Sequence, residues 1–374
     1  MKFLTRLLLV MPMSIWLPSA FSAQPLADRL ERPSRPAPQA ERSQLTTLQV
    51  VDGRVLMAGE SGRVLLRDAG GELRQGKVPV DLLLTALCFV DARHGWAVGH
   101  DGVILHSGDG GESWSKQLDG KAIGQLMLTD AEAQVARLEA ASAGQPGDEA
   151  LGAALDNALF ALDDVKAGIE HGPSRPLLDV WFRNADNGWA VGAYGIALRT
   201  RDGGRNWVYV PGLDNPERLH LNAVLGLADG SVLVAGEGGR LYRSHDDGEH
   251  WQAAQVLTDG SLYKLLALRD GRLLAMGFGG NLLLSEDHGE HWQRLAVPVR
   301  VSLYGGTQLD DGRVLLAGQG GVVLSAREDL RFHAWQAPSK APWLGVGELN
   351  DSVALVGNGG LALVPKQTFG EARP

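Results

Sequence analysis

The sequence predicts an all-β chain closed into a seven-bladed β-propeller. Each blade is expected to have four antiparallel strands, and an α-helical hairpin is expected as an insertion. Three observations predict this. The pattern Ser/Thr-x-Asp-x-Gly-x-x-Trp occurs four times, at residues 107–114, 200–207, 244–251 and 285–292. A Gly-x-x-Gly turn begins at Gly59, Gly99, Gly192, Gly236, Gly277, Gly318 and Gly357, with steps of 40, 93, 44, 41, 41 and 39 residues. Each turn sits between short apolar runs. A period near 40 residues marks one supersecondary unit repeated around an axis.

In chain order, residues 1–23 start with Lys2 and Arg6, continue through an apolar stretch from Leu7 to Leu17, and end on small residues. This is the form of a secretory signal peptide, so a periplasmic or otherwise exported location is expected. Pro12 and Pro18 argue against a spanning helix. Residues 24–44 are rich in Pro and Arg and read as a linker, either solvated or used to close the ring.

Residues 45–365 hold the seven units. The unit from Leu221 shows the pattern: 221–227 is a β-like run, Asp229 and Gly230 turn, and 231–235 is a second run. Residues 236–239 make a tight hairpin, 241–244 form a third run, and an Asp-Asp-Gly turn leads to a fourth near Trp251. Four short strands repeated seven times give a propeller, whose blades cover one another's apolar faces.

The repeated polar turn has a structural assignment. Its members are Ser107, Asp109, Gly111 and Trp114; Thr200, Asp202, Gly204 and Trp207; Ser244, Asp246, Gly248 and Trp251; and Ser285, Asp287, Gly289 and Trp292. The hydroxyl and carboxylate can satisfy turn backbone groups, and the Trp is expected to fold back over its own hairpin. The pattern breaks at both ends. Unit one lacks the Trp, unit six has Trp335 three residues late, and unit seven has no clear fourth strand. The N-terminal arm is the favoured source of that strand, with the 366–374 tail as the alternative.

The insert spans 119–176, between units two and three. Thr129 and Glu132 suggest a capping box opening a helix over 131–143. A second helix fits 149–169, with Leu151, Leu155, Leu159, Leu162 and Val165 on one stripe. Propeller topology puts this insert on the same face as the Gly-x-x-Gly turns. Its stripe can pack on itself and the ring, or dock a partner. The candidate protein-binding residues are therefore Leu151, Leu155 and Leu162 of the insert with His100, Asp101, Tyr194, Glu237, Phe278, Gln319 and Asn358 of the turns.

Net charge is −9, which gives the whole molecule no general attraction to nucleic acid. The single cysteine, Cys88, lies in an apolar run and reads as a buried small residue. The ten histidines include no H-E-x-x-H, and no G-x-S-x-G or phosphate loop occurs. No catalytic residue, metal site or cofactor is expected, and the chain reads as a non-enzyme. Spacing alone leaves a glycan-active site open, because propeller sites draw carboxylates from different blades.

The polar turns resemble the Asp boxes of sialidase-type BNR propellers, although the Arg-Ile-Pro motif of sialidases is missing. A closer likeness lies in Gly95, Trp96, Ala97, Val98 and Gly99, followed by Ile104, Leu105, His106 and Ser107. It recurs in Gly188, Trp189, Ala190, Val191 and Gly192, followed by Ile196, Ala197, Leu198, Arg199 and Thr200. These units resemble the photosystem II stability and assembly factor family over about 45–365, and the helical insert departs from it. The resemblance implies a lumenal or periplasmic scaffold that binds membrane-protein intermediates. It implies a protein partner, with an inner-membrane complex or transporter as candidates, peripheral membrane association as an option, and a photosynthetic role only by extension. Basic residues bind partners in that family, but Arg183, Arg199 and Arg205 have no residue-by-residue match there. The alternative reading is a divergent sialidase-like hydrolase or carbohydrate-binding propeller.

Overall fold

The computed structural model describes residues 28–172, 174–255 and 257–370. The expected signal peptide, the first residues of the linker and residues 371–374 lie outside these. Six four-stranded antiparallel sheets and one three-stranded sheet follow one another in chain order. Blade one runs from Leu45–Val51 to Leu73–Gln75, and blade seven from Trp343–Leu349 to Gly360–Pro365. The innermost strands of successive blades, including seven and one, pack side by side, so the ring closes. Strands alternate faces, so each blade presents apolar residues on both sides. The buried residues fall into one cluster per interface between blades, plus a small one inside the helical hairpin.

The repeated polar turns tie each blade to the one before it. In blade two, Ser107 Oγ donates to Asp109 Oδ1 at 2.8 Å and accepts the Gly111 N–H at 2.8 Å. Asp109 Oδ1 also accepts the Ser113 N–H at 2.9 Å. Blades three, four and five repeat this, with Asn206, His250 and His291 in the place of Ser113. The closing tryptophans hold to their own turns, with Trp114 donating its indole N–H to Gly111 O at 3.0 Å and Trp292 to Gly289 O at 3.1 Å, and they also enter the core shared with the preceding blade. Trp114 enters the core between blades one and two, and Trp207 the core between two and three. Trp251 and Trp292 pack likewise between three and four and between four and five. The turn aims each indole at the apolar face of the preceding blade, where it adds to the cover given by the strands of its own blade. Blade six has no box Trp, and Leu330 and Phe332 fill that position.

The described residues of the N-terminal arm do not supply a fourth strand to blade seven. It departs at blade one instead: the Ser34 N–H donates to Val78 O at 3.0 Å and its hydroxyl to Ser61 O at 2.7 Å. Nor is the arm a solvated leader. Leu30 is fully buried in the core of blades one and two, and Arg32 pairs with Asp81 at 2.7 Å. Pro33, Pro36 and Pro38 explain the departure, because proline has no N–H to donate to a ladder. Only the end of the arm reaches blade seven. A Cβ on Gly360 would lie 2.0 Å from Glu41 O, as one on Gly62 would lie 2.1 Å from Val80 O. Residues 41–44 thus stand where the link between blades runs elsewhere. The described part of the tail does not fill the strand either: Phe369 is buried against Trp335 of blade six at 5.2 Å between ring centroids. The seam is closed by packing. A Cβ on Gly347 would come within 2.6 Å of Leu48 Cδ1 and 3.1 Å of Val50 Cγ2, so the inner strands meet at van der Waals contact.

The insert is two long helices, α1 (Gly120–Gly144) and α2 (Glu149–His171). α1 starts ten residues before the expected capping box. Asp119 is its N-cap, accepting the N–H groups of Lys121 at 3.0 Å and Ala122 at 3.2 Å. Ile123 and Met127, one turn apart, bury this first segment on the ring. The Thr129 hydroxyl donates to Gln125 O within the helix, so Thr129 caps nothing.

Two measurements test these roles. Trp207→Ala should lower the unfolding free energy by about 3–5 kcal/mol, the usual cost of removing a buried Trp, in equilibrium denaturation. A change within the scatter of surface substitutions would mean that the indole does not bind the two blades. Asp287 is held down at about 2 by the His291 N–H and ring and by Ser285, against an ordinary 3.8. Its folded pKa is depressed, so its contribution is complete above 3.8 and lost as pH falls to about 2. Melting temperature should therefore fall less steeply over that window in Asp287→Asn than in the parent.

Candidate protein-binding face

The Gly-x-x-Gly turns and the insert share one face. A Cβ on Gly102 would meet Gly120 Cα at 2.8 Å and Ile123 Cδ1 at 2.9 Å, which places the start of α1 on the turn of blade two. The Ala193 N–H donates to Pro176 O at 2.9 Å, which places the end of the insert on the turn of blade three. The polar boxes lie at the other face, where the Gly110 N–H donates to Arg93 O and the Gly203 N–H to Asp186 O, each at 2.8 Å.

In six turns the two residues between the glycines and the second glycine form a one-turn 3-10 segment, its middle residue at positive φ. Tyr194 holds φ at 56°, a costly conformation for a side chain of its size. This backbone aims the ring outward, 51% exposed. Phe278 in blade five is 57% exposed. His100, Gln319 and Asn358 are exposed at the surface of their own blades. Asp101 is half-buried, and burial raises its carboxyl above the ordinary value.

The structure joins some of these residues and separates others. Arg175, just after α2, lies over the Tyr194 ring at 5.5 Å, and His220 lies 5.0 Å from the same ring. The His220 N–H donates to Glu237 Oε2 at 3.1 Å, which extends the group to blade four. Arg218 bonds Asp164 of α2 at 2.5 Å and stands 6.0 Å over the Phe160 ring. Arg175 reaches the same Asp164 oxygen at 3.1 Å. Two guanidinium groups share one carboxylate, which leaves the group one net positive charge before Glu237 is counted. A cavity of about 200 Å³ opens beneath it, lined by Asp130, Arg175, Tyr194, Tyr209 and Arg218 among others.

Part of the leucine stripe is used within the hairpin itself. Leu162 is buried with Val135 and Ala158, and Leu155 packs on the same cluster. Leu151 is half-buried. Two helices standing off a ring must first cover each other, and these residues form that seam. Leu159 was expected on the stripe but is 40% exposed, and its neighbour Phe160 is 74% exposed. Phe160, Arg175 and Arg218 are the residues that sequence reasoning missed. The only signal was an aromatic on the polar side of the helical wheel.

The channel mouth was missed too. Every innermost strand has a register shift near its start. Residues skipped there turn inward or staple blades together: Thr46 donates to Leu84 O at 2.6 Å, Thr85 to Leu177 O at 2.7 Å, and Asn222 to Leu262 O at 2.9 Å. Tyr263 and Tyr304 stand 5.5 Å apart at two more such positions. Below them Asp179 is buried, held by Lys264 at 3.1 Å and the Val224 N–H at 3.2 Å.

Other candidates are engaged elsewhere. Arg199 bonds Asp247 O and Glu249 across blades three and four, and Arg183 bonds Gly230 O. Burial pushes the Cys88 thiol up to about 11, with its sulfur accepting the Phe182 N–H. His250 and His291 each bond their own box carboxylate. Among the described residues no group of three or more His, Cys, Asp or Glu is placed to hold a metal. None of the described helices is long and apolar enough to cross a membrane.

Arg218→Ala should loosen the hairpin without loosening the ring. Hydrogen exchange across α2 should speed up while blade strands keep their protection. Unchanged exchange in α2 would show that the ion pair does not hold it.

Comparison with known proteins agrees with this fold. The family model for the photosynthesis system II assembly factor YCF48 matches residues 167–258, which contain blades three and four. The photosystem II stability/assembly factor HCF136 of Oryza sativa subsp. japonica is 39% identical over 67 residues, and that of Arabidopsis thaliana 40%. Each match covers 18% of this chain and 16% of the relative, so the chain spans about a sixth of the relatives' length. A solved YCF48 bound to D1 peptide shares 18% identity, covering 87% of this chain and 93% of that one, with a TM-score of 0.59. YCF48 from Cyanidioschyzon merolae shares 14%, covering 88% and 98%, also at 0.59. Streptogramin B lyase shares 13%, covering 87% and 95%, at 0.62. At these identities the solved structures show the fold alone. The chain is thus a seven-bladed β-propeller that over residues 167–258 is similar in sequence to the YCF48 assembly factors.

Proposed function

We propose that this protein is an exported, non-enzymatic scaffold that binds a segment of a partner protein on the face carrying the hairpin. The observation that carries this is the group of Phe160, Arg218, Arg175, Tyr194, His220 and Glu237. It joins insert, blade three and blade four, and it combines exposed aromatics with guanidinium groups, the residue types that anchor protein interfaces. The leader-like residues 1–23 support export. The solved YCF48 bound to D1 peptide supports a peptide-like partner segment, since it carries one on a similar ring. An extramembrane segment of an inner-membrane complex fits both. The glycan-active alternative needs carboxylates free for acid–base work, and the buried carboxylate of the channel, Asp179, is held by Lys264 and Val224.

Affinity capture from envelope extracts tests this, comparing the whole mature chain with one lacking 125–172 and with Phe160→Ala/Arg218→Ala. Recovery of the main partner should fall at least tenfold in both variants, with melting of the ring unchanged in the double variant. Equal recovery by all three would sink the assignment to this face.

A further inference from the structure

Blade seven is the one blade with three strands among the described residues, and its third strand, Gly360–Pro365, has an unpaired outer edge. The turn before it places Gly357 opposite Gly360, and Leu361 and Leu363 pair with Val356 and Ala354. In an antiparallel ladder, alternate residues turn their N–H and C=O away from the partner strand. Counting from the two-residue turn, Leu361 and Leu363 are the outward ones. Pro365, which has no N–H, falls in the same series.

The other blades show what belongs there. The carbonyls of Val64, Ala197, Leu241 and Leu282 accept the N–H groups of Gly76, Val210, Ala254 and Leu295, each the residue just after the fourth strand of the same blade. Leu361 is the matching position in blade seven, since it too pairs with the residue just before the turn glycine. Leu363 is 40% exposed, a large apolar side chain on an open edge. Such an edge is a template for another strand, and soluble proteins usually blunt it with charge or cover. This one carries Leu-Ala-Leu-Val.

We propose that this edge takes an extended peptide segment of a partner protein as an antiparallel fourth strand, with apolar side chains opposite Leu361 and Leu363. Addition of a strand to a sheet edge is an established way of binding peptides. The described ends of this chain are committed elsewhere. Asp28 pairs with Lys121 at 3.1 Å beside α1. The Phe369 carbonyl accepts the Ser325 hydroxyl of blade six at 2.8 Å. A second copy meeting the edge alone would share about six residues a side, far below the roughly 20–30 of a stable dimer. The site lies on the rim, away from the hairpin, so it is a second binding site and does not depend on the face proposed above.

The probe is a set of fluorescent twelve-residue peptides with Val, Ile or Leu at alternate positions and Lys or Thr between, read by anisotropy against the whole mature chain. Each has a partner of equal composition with alternate backbone amides methylated, which blocks the ladder but keeps the side chains. Leu363→Pro removes an outward N–H that the neighbouring strand does not use, and Leu363→Lys covers the case in which the proline variant fails to fold. At least one unmethylated peptide should bind, and methylation or either substitution should weaken it at least tenfold. Phe160→Ala should leave it unchanged, which separates this site from the hairpin face. Any of three results overturns the proposal: no unmethylated peptide binds, binding survives both methylation and substitution, or the chain sediments as a dimer that Leu363→Lys splits.

Discussion

Everything in this molecule depends on apolar burial between blades. No blade can hide both faces of its own sheet, so stability resides in the interfaces between neighbours. The polar boxes look like sites because they are repeated and rich in hydrogen-bonding groups. Their work is to fix a sharp turn so that one indole reaches the preceding blade. The carboxylate of Asp109 and the hydroxyl of Ser107 are consumed in that turn, and chemistry moves to the opposite face.

That face is built by strain and by insertion. Tyr194 holds a backbone conformation that suits glycine better, and the neighbours that steady it come from α2 and blade four. The ion pairs at Asp164 add to the packing of Ile123, Met127, Val165 and Ile169 on the ring in tying the hairpin down. A rigid ring that holds a laterally fixed hairpin gives a partner a preorganised surface, which lowers the cost of ordering on binding.

Much of the ring was legible because its signals are periodic. Gly-x-x-Gly spacing and Trp recurrence locate blades without any knowledge of contacts. The insert was legible as a hairpin, but its start was not. Asp119 is an ordinary cap residue, and only the burial of Ile123 and Met127 on the ring distinguishes it from the better-looking Thr129. The direction of the tryptophans was hidden for a similar reason, since a turn motif fixes local geometry and not the side on which a neighbour stands. The candidate site was half legible. Turn positions can be counted from spacing, but the grouping of Tyr194 with Arg175, His220 and Phe160 depends on where the insert lands. The course of the arm is hidden because the prolines at 33, 36 and 38 pass for linker composition and equally bar strand pairing.

The backward reach of each tryptophan also sets an order of assembly. A chain emerges from the ribosome N-terminus first, and domains and their parts form in that sequence. Each new blade from two to five brings the indole that seals the blade already formed. No finished interface in that series waits on a later one, so the exposed apolar surface at any moment is about one blade face. The first face of blade one is the exception: it stays open until the last strands arrive. Arm residues Ala37 and Ala40 pack into that face's cluster, so the leading part of the chain carries a temporary cover for the surface that must wait longest.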